Sequence, residues 1–180
     1  MLENLEEATV HTHEEAIQHI LHWMKQQHAD AQLNAVVHRV VHGADVFSKS
    51  VVVTAKIIKQ LKQFNCFAPL HQPHNIAGIE IIQQLMPDML QIACFDTAFH
   101  AHHKALFNTY ALPNTLRAQG IRRYGFHGLS YEWSAYRLKQ DYPKLAKGRV
   151  VVAHLGNGAS LCALNHCKSI DSTMGLTALD

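Results

Sequence analysis

The chain has 180 residues, 48% of them apolar and only 17% charged, a balance that supports a packed core and excludes an intrinsically disordered chain. Sixteen basic residues stand against fourteen acidic ones, for a formal charge of +2, and the basic residues are scattered, so there is no electrostatic footprint for nucleic acid. The unusual number is 15 histidines.

The first ten residues, MLENLEEATV, are acidic and lack the apolar stretch of a signal peptide. Glu14 to Gln27 places Ile17, Ile20, Leu21 and Met24 on one helical stripe, with Thr12 or His13 at its N-terminal boundary. Ala35 to Val41 is short and β-branched and predicts a strand that Gly43 ends. Val53, Ile57, Ile58 and Leu61 recur at helical spacing across Ser50 to Phe64. Pro73 suits the first turn of another helix, whose Ile76, Ile79, Ile82 and Leu85 run on to Pro87. Met89 to Phe95 is a near-continuous apolar run, the pattern of a buried strand, and it ends in Asp96-Thr97.

A His-rich stretch follows, then Leu112-Pro113 and the block Ile121 to Gly128. Ser130 to Gln140 reads as a helix closed by Tyr142-Pro143. Val150 to Leu155 predicts a strand, Asn157-Gly158 a hairpin turn between apolar flanks, and Ser169 to Asp171 a further short strand. Strands alternating with helices up to Asp96 predict an α/β fold. No apolar run approaches the ~18 residues of a membrane span. Cys66, Cys94, Cys162 and Cys167 form no C-x-x-C pair and read as reduced thiols. The expectation is a soluble cytoplasmic protein.

Three places suggest chemistry. Asp96 directly follows a buried strand, where ligands of α/β sheets gather, though a lone Asp there also serves as a helix cap or turn former. Arg39 lies within an apolar strand, and a buried guanidinium needs a carboxylate or phosphate partner, so a structural ion pair explains it equally well. The glycines of His154-Leu155-Gly156-Asn157-Gly158 permit positive φ and an anion-binding nest, while a plain hairpin turn is the simpler account. The histidines show neither an H-E-x-x-H motif nor zinc-ligand spacing, so no metal ligand is named.

Five blocks in register resemble acetate kinases: His38-Arg39-Val40-Val41-His42-Gly43, Ala68-Pro69-Leu70-His71-Gln72-Pro73, Phe95-Asp96-Thr97-Ala98-Phe99-His100, Arg122-Arg123-Tyr124-Gly125-Phe126-His127-Gly128 and His154-Leu155-Gly156-Asn157-Gly158-Ala159-Ser160. The resemblance covers roughly Val36 to Asp180. It implies part of the two-domain actin-like ATPase fold: an α/β architecture of mixed sheets flanked by helices. Residues 1–97 would be the remainder of the acyl-substrate domain, and residues 98–180 the start of the nucleotide-phosphate domain.

The implied reaction is reversible phosphoryl transfer between ATP and acetate or propionate, giving ADP and an acyl phosphate with Mg2+. By motif position, Arg39 matches the arginine that grips the substrate carboxylate or phosphoryl group. Asp96 matches the essential aspartate, and His127 the histidine that stabilises the transition state. His154, Leu155, Gly156, Asn157 and Gly158 match the loop at the nucleotide phosphates. His71 matches a further active-site histidine, and Val41, Leu70 and Phe126 the pocket for the alkyl tail. Family members form homodimers; neither nucleic acid nor membrane is an implied partner. A carboxylate nucleophile is already ionised at neutral pH, so Asp96 has no proton to remove and is expected to organise Mg2+ or Arg39.

The departures are as informative. The family opens with an Asn-x-Gly-Ser-Ser-Ser-x-Lys phosphate loop that these 180 residues do not contain, and it continues well beyond Asp180. His71-Gln72-Pro73 replaces His-Asn-Pro, and Thr177-Ala178-Leu179-Asp180 replaces Thr-Pro-Leu-Glu. Ala178 stands where the family proline helps close the alkyl pocket, which leaves room for a longer acid. The expectation is a chain with weak or no turnover by itself. The alternatives are a non-catalytic remnant or interaction module, and a His-rich metal-binding protein.

Overall fold

The computed structural model describes residues 10–178. The acidic N-terminal segment and the Leu179-Asp180 pair lie outside the described residues.

The first half is built around a small mixed sheet. Strands β1 (Val36–Val40) and β3 (Gln91–Phe95) run parallel, in register from Val36 opposite Gln91 to Val40 opposite Phe95. Strand β2 (Val51–Val52) pairs antiparallel with the other side of β3. Helices α2 (Ala55–Lys62) and α3 (Gln72–Leu85) bury Ile58, Leu61, Ile76 and Ile79 with Val40 and Phe95 of the sheet. Phe47 stacks on Phe95 with ring centres 4.8 Å apart. Helix α1 (His13–Gln27) begins at a capping box, Thr12 and Glu15 each holding the other's backbone N–H. It packs on α3, yet no member of its apolar stripe is fully buried, and Ile20 is exposed.

The second half holds an antiparallel meander of β4 (Arg149–Leu155), β5 (Ala159–Asn165) and β6 (Lys168–Ser172). Helix α6 (Gly128–Asp141) lies on it, burying Tyr131 and Ala135 against Cys162, Leu164 and Cys167. Two four-residue helices, α4 (Ala105–Asn108) and α5 (Asn114–Arg117), occupy the link between the halves. Among the described residues, no helix is long and apolar enough to cross a membrane.

Two expectations need correcting. Ser50 to Phe64 is not one helical stretch. The β-branched Val51 and Val52 pair with β3, and the helix restarts behind Thr54, whose hydroxyl accepts the Ile57 N–H. The Asn157-Gly158 hairpin does form, with Leu155 opposite Ala159. Its loop has three residues, and neither glycine takes a positive φ. The positive-φ pair sits in the next hairpin, at His166 (51°) and Cys167 (59°), as a type I′ turn requires.

Candidate active site

Parallel pairing brings the ends of β1 and β3 side by side, and this places the first two functional groups. The Asp96 N–H bonds to the Val40 carbonyl at 3.1 Å, just beyond the last strand pair. From the neighbouring strand Arg39 reaches the Asp96 carboxylate, with Nη2 2.7 Å from Oδ2 and Nε 3.2 and 3.1 Å from the two oxygens. The burial is the reverse of the sequence expectation. The Arg39 side chain is 60% exposed, and Asp96, at 2%, is the buried member. Strand alternation accounts for this, since Val40 turns into the core and Arg39 turns out of it. The bonds that Arg39 donates to the Asp96 carboxylate hold its pKa above the ordinary value, against the opposing effect of partial burial.

His127 comes to the pair from the start of α6, where it occupies the N-cap in a left-handed conformation (φ 56°, ψ 20°). The next residue must be glycine: a Cβ on Gly128 would lie 2.0 Å from the Asp96 carbonyl oxygen, which accepts the Gly128 N–H at 3.0 Å. His127 Nδ1 lies 2.8 Å from Ser160 Oγ, a hydroxyl shared with Tyr131. Its ring stacks on His154, with centres 4.0 Å apart. His154 Nδ1 is fixed in turn by Ser130 Oγ at 2.9 Å. The His127 pKa is lowered, first by burial and then by His154 and Arg39, while Asp96 opposes the shift.

The glycine loop covers this stack. A Cβ on Gly158 would sit 3.2 Å from His127 Nε2. Gly156 donates its N–H to the Gly158 carbonyl at 3.1 Å, which closes the loop on itself. Leu155 points to the opposite face of the sheet and is 80% exposed; Asn157 is exposed at the loop tip.

Of the three residues expected to line an alkyl pocket, the structure brings two together. Val41 and Phe126 are buried together with Ala68 and Met174, and Ala178 packs against them. Leu70 is not one of this group; it is 67% exposed. His71 is half-buried at the N-cap of α3, on the turn that Ala68 opens. No local pattern marks Ala68 and Met174 as members of this group, because Met174 reaches it from a part of the chain far from Val41 and Ala68. Gln72, one of the departures, is fully buried and clamps the His42 backbone, accepting its N–H at 3.1 Å and donating to its carbonyl at 3.0 Å.

Of the other motif histidines, His42 and His100 are buried and His38 is half-buried. His42 sits among Phe67, Tyr124 and Phe126 with ring centres 4.6–5.3 Å away, and burial pushes its pKa down to about 4. His38 bonds to Gln91 Oε1 at 2.8 Å. Among the described residues, no three His, Cys, Asp or Glu side chains gather as a metal site would need.

Comparison with known proteins decides what this constellation belongs to. The sequence matches the Acetokinase family across residues 2–180. The chain belongs to the acetokinase family. It is 51% identical to an acetate kinase of Rhodopseudomonas palustris (strain TIE-1) over 170 residues, 94% of this chain and 43% of that protein. It is 40% identical to one of Thermosipho africanus over 178 residues, again 43% of the relative. Among solved structures, a propionate kinase from Francisella tularensis superposes with a TM-score of 0.87 at 38% identity, over 94% of this chain and 44% of that one. The acetate kinase of Porphyromonas gingivalis gives 0.84 at 35% identity, with the same shares covered. The α/β architecture is therefore part of the actin-like ATPase fold of these kinases. The 180 residues span less than half the length of the acetokinase relatives they match.

Proposed function

We propose that the chain carries the acyl-substrate side of an acetate or propionate kinase site, for reversible phosphoryl transfer between ATP and a short carboxylate. The observation that supports it best is the Arg39–Asp96 pair beside the His127–His154 stack under a glycine loop. In the forward direction a carboxylate oxygen forms the new O–P bond while the bond to the ADP oxygen breaks, and no proton need move. Catalysis of this kind is mostly positioning and charge stabilisation.

The residues divide that work. Asp96 occupies Nε and Nη2 of Arg39, so the remaining N–H groups of the fork are those a substrate oxygen would take. With Nδ1 accepting the Ser160 hydroxyl proton, His127 presents Nε2–H to a phosphoryl oxygen. Val41, Ala68, Phe126 and Met174 receive the alkyl tail, with Ala178 at the edge leaving room beyond acetate. His71 and Leu70 border that turn, and His154 to Gly158 face the nucleotide phosphates. The acyl and nucleotide-phosphate domains divide near Asp96-Thr97. Among the described residues Asp96 is the one carboxylate at this site, and both its oxygens are held by Arg39, so the donor set makes no magnesium cage, and Mg2+ would be held chiefly by the nucleotide phosphates, whose charge it would neutralise. The four free thiols suit a cytoplasmic enzyme, and a homodimer is the assembly the family suggests.

Calorimetry with acetyl phosphate and with ATP tests this reading. The chain is expected to bind acetyl phosphate, and Arg39→Ala or Asp96→Asn to weaken that binding at least ~10-fold, the loss of one charge-assisted contact. Turnover by the 180 residues alone is expected to be slight. Absence of acetyl phosphate binding would overturn the reading in favour of a non-catalytic module.

A further inference from the structure

A second histidine, remote from the transferred group, is built around the backbone of His127. His100 ends the 3-10 turn Ala98–His100 behind Asp96 and is 1% exposed. Its Nε2 lies 2.9 Å from the Phe126 carbonyl oxygen, and its Nδ1 lies 2.7 Å from Ser169 Oγ on β6. A carbonyl can only accept, so Nε2 carries the hydrogen. A neutral ring then has Nδ1 as an acceptor, and the Ser169 hydroxyl must donate to it. With that hydrogen committed, His103 Nε2, 2.6 Å from Ser169 Oγ, is a donor. One direction of donation therefore runs from His103 through Ser169 and His100 to the Phe126 carbonyl.

We propose that His100 is a positioning residue for His127, fixing the peptide before it while the Asp96 carbonyl fixes the peptide after it. The two anchors are consecutive in effect: His100 takes the Phe126 carbonyl, and Asp96 takes the Gly128 N–H at 3.0 Å. Both belong to the one segment that leaves β3. Between them His127 is held in a left-handed conformation that costs a residue with a Cβ free energy and persists only where its surroundings fix it. Gly125 completes the arrangement, at φ 76° and with no room for a Cβ, which would meet the His100 ring at 2.9 Å. Burial pushes His100 down to about 4, with the Phe126 carbonyl and Asp171 opposing and His103 and His127 adding to the shift. The ring is therefore neutral wherever the clamp must act. Phe126 is itself part of the alkyl pocket, so the same bond sets the pocket wall and the catalytic imidazole together.

The inference rests on the proposed role of His127, but its test does not need turnover. Nuclear magnetic resonance on the isotope-labelled 180-residue chain reads the His100 tautomer and the His127 backbone shifts. The wild type is expected to show His100 as the Nε2–H tautomer and His127 as left-handed. His100→Leu, which removes the donor, is expected to abolish the left-handed signature and shift the His127 Nδ1 signal away from its hydrogen-bonded position. His100→Gln, whose amide can reach the same carbonyl, is expected to restore both. An Nδ1–H tautomer in the wild type would overturn the inference. So would a left-handed His127 in folded His100→Leu, or its loss in folded His100→Gln. If His100→Leu does not fold, the tautomer and the Gln variant still decide. Failed acetyl phosphate binding would sink the proposed function and leave these signals unchanged.

Discussion

At the scale of single residues, the histidines divide by environment. His127 and His154 are partly exposed and stacked on one another beside Arg39 and Asp96. His42 and His100 are buried, and burial takes each pKa to about 4. Their Nδ1 atoms already accept, from the Ala44 N–H and the Ser169 hydroxyl, so a second ring proton would break a bond as well as bury a charge. The sign follows from linkage. The folded-state pKa lies below the unfolded value near 6.5, so the unfolded chain binds more protons between the two, and stability falls as pH falls from about 6.5 toward 4. Each histidine is expected to remove roughly 1–2 kcal/mol of stability between pH 7 and pH 5. Urea unfolding at the two pH values measures this, and His42→Gln should reduce the difference by roughly 1–2 kcal/mol, the share of that one ring. An equal loss in wild type and variant would show that other groups titrate there. Motif position singles out His71, His127 and His154, but which of the 15 histidines are buried is not legible locally, because for His42 it depends on the aromatic shell that Phe67, Tyr124 and Phe126 form from distant parts of the chain.

At the scale of elements, the two hairpins of the second sheet invert the expected turn chemistry. Asn157-Gly158, the pair best suited to left-handed backbone, closes a loop in which neither glycine has a positive φ. His166-Cys167 takes the left-handed turn without a glycine. Cys167 cannot be spared, since it is buried with Tyr131 and its Sγ lies 3.5 Å from the Ala146 carbonyl. His166 is exposed, and its ring bonds to the side chain of its neighbour Asn165, while its backbone N–H, which Asn would keep, donates to the Gly148 carbonyl. His166→Asn is therefore expected to stabilise the chain by about 0.5 kcal/mol, because Asn adopts the left-handed region more readily. A thermal melt should rise by a degree or two, about what that gain gives at this length. A fall would mean that the His166 ring contributes packing in the turn. The same contrast shows what was legible. Strand β3 could be read from its near-continuous apolar run, and helix α3 from apolar residues that recur at the helical period, because both signals lie within a few neighbouring residues. Strand β2 could not, because two valines become a strand only where β3 offers an edge. The Arg39–Asp96 contact spans 57 residues, so its partner and its direction of burial come from the parallel register and not from either local pattern.

At the scale of the whole molecule, the second sheet has two unlike faces. One packs on α6 through Val150, Val152, Cys162 and Leu164. The other carries Val151 (68% exposed), Leu155 (80%) and Leu161 (43%), with Ala153 opposite Leu161 and Ala163 opposite Val151. Strand alternation makes this a continuous apolar surface on neighbouring strands, and soluble monomers rarely leave such surfaces open. The chain spans under half of its relatives, so in a complete acetokinase more polypeptide is available to cover that face. For the 180 residues by themselves, the consequence is weak self-association through this surface. Sedimentation equilibrium across a wide concentration range is expected to show a mass that rises with concentration, with an apolar fluorescent dye bound at the low end. Val151 and Leu155 point away from the core, so Val151→Lys with Leu155→Lys should suppress both signals and leave the thermal melt nearly unchanged. A discrete dimer that survives the double substitution would assign the assembly to another surface, because a closed two-fold contact persists only if its own patch is untouched. Retention of the dye with loss of association would separate exposed apolar area from the contact itself and point to the charge alone as the cause.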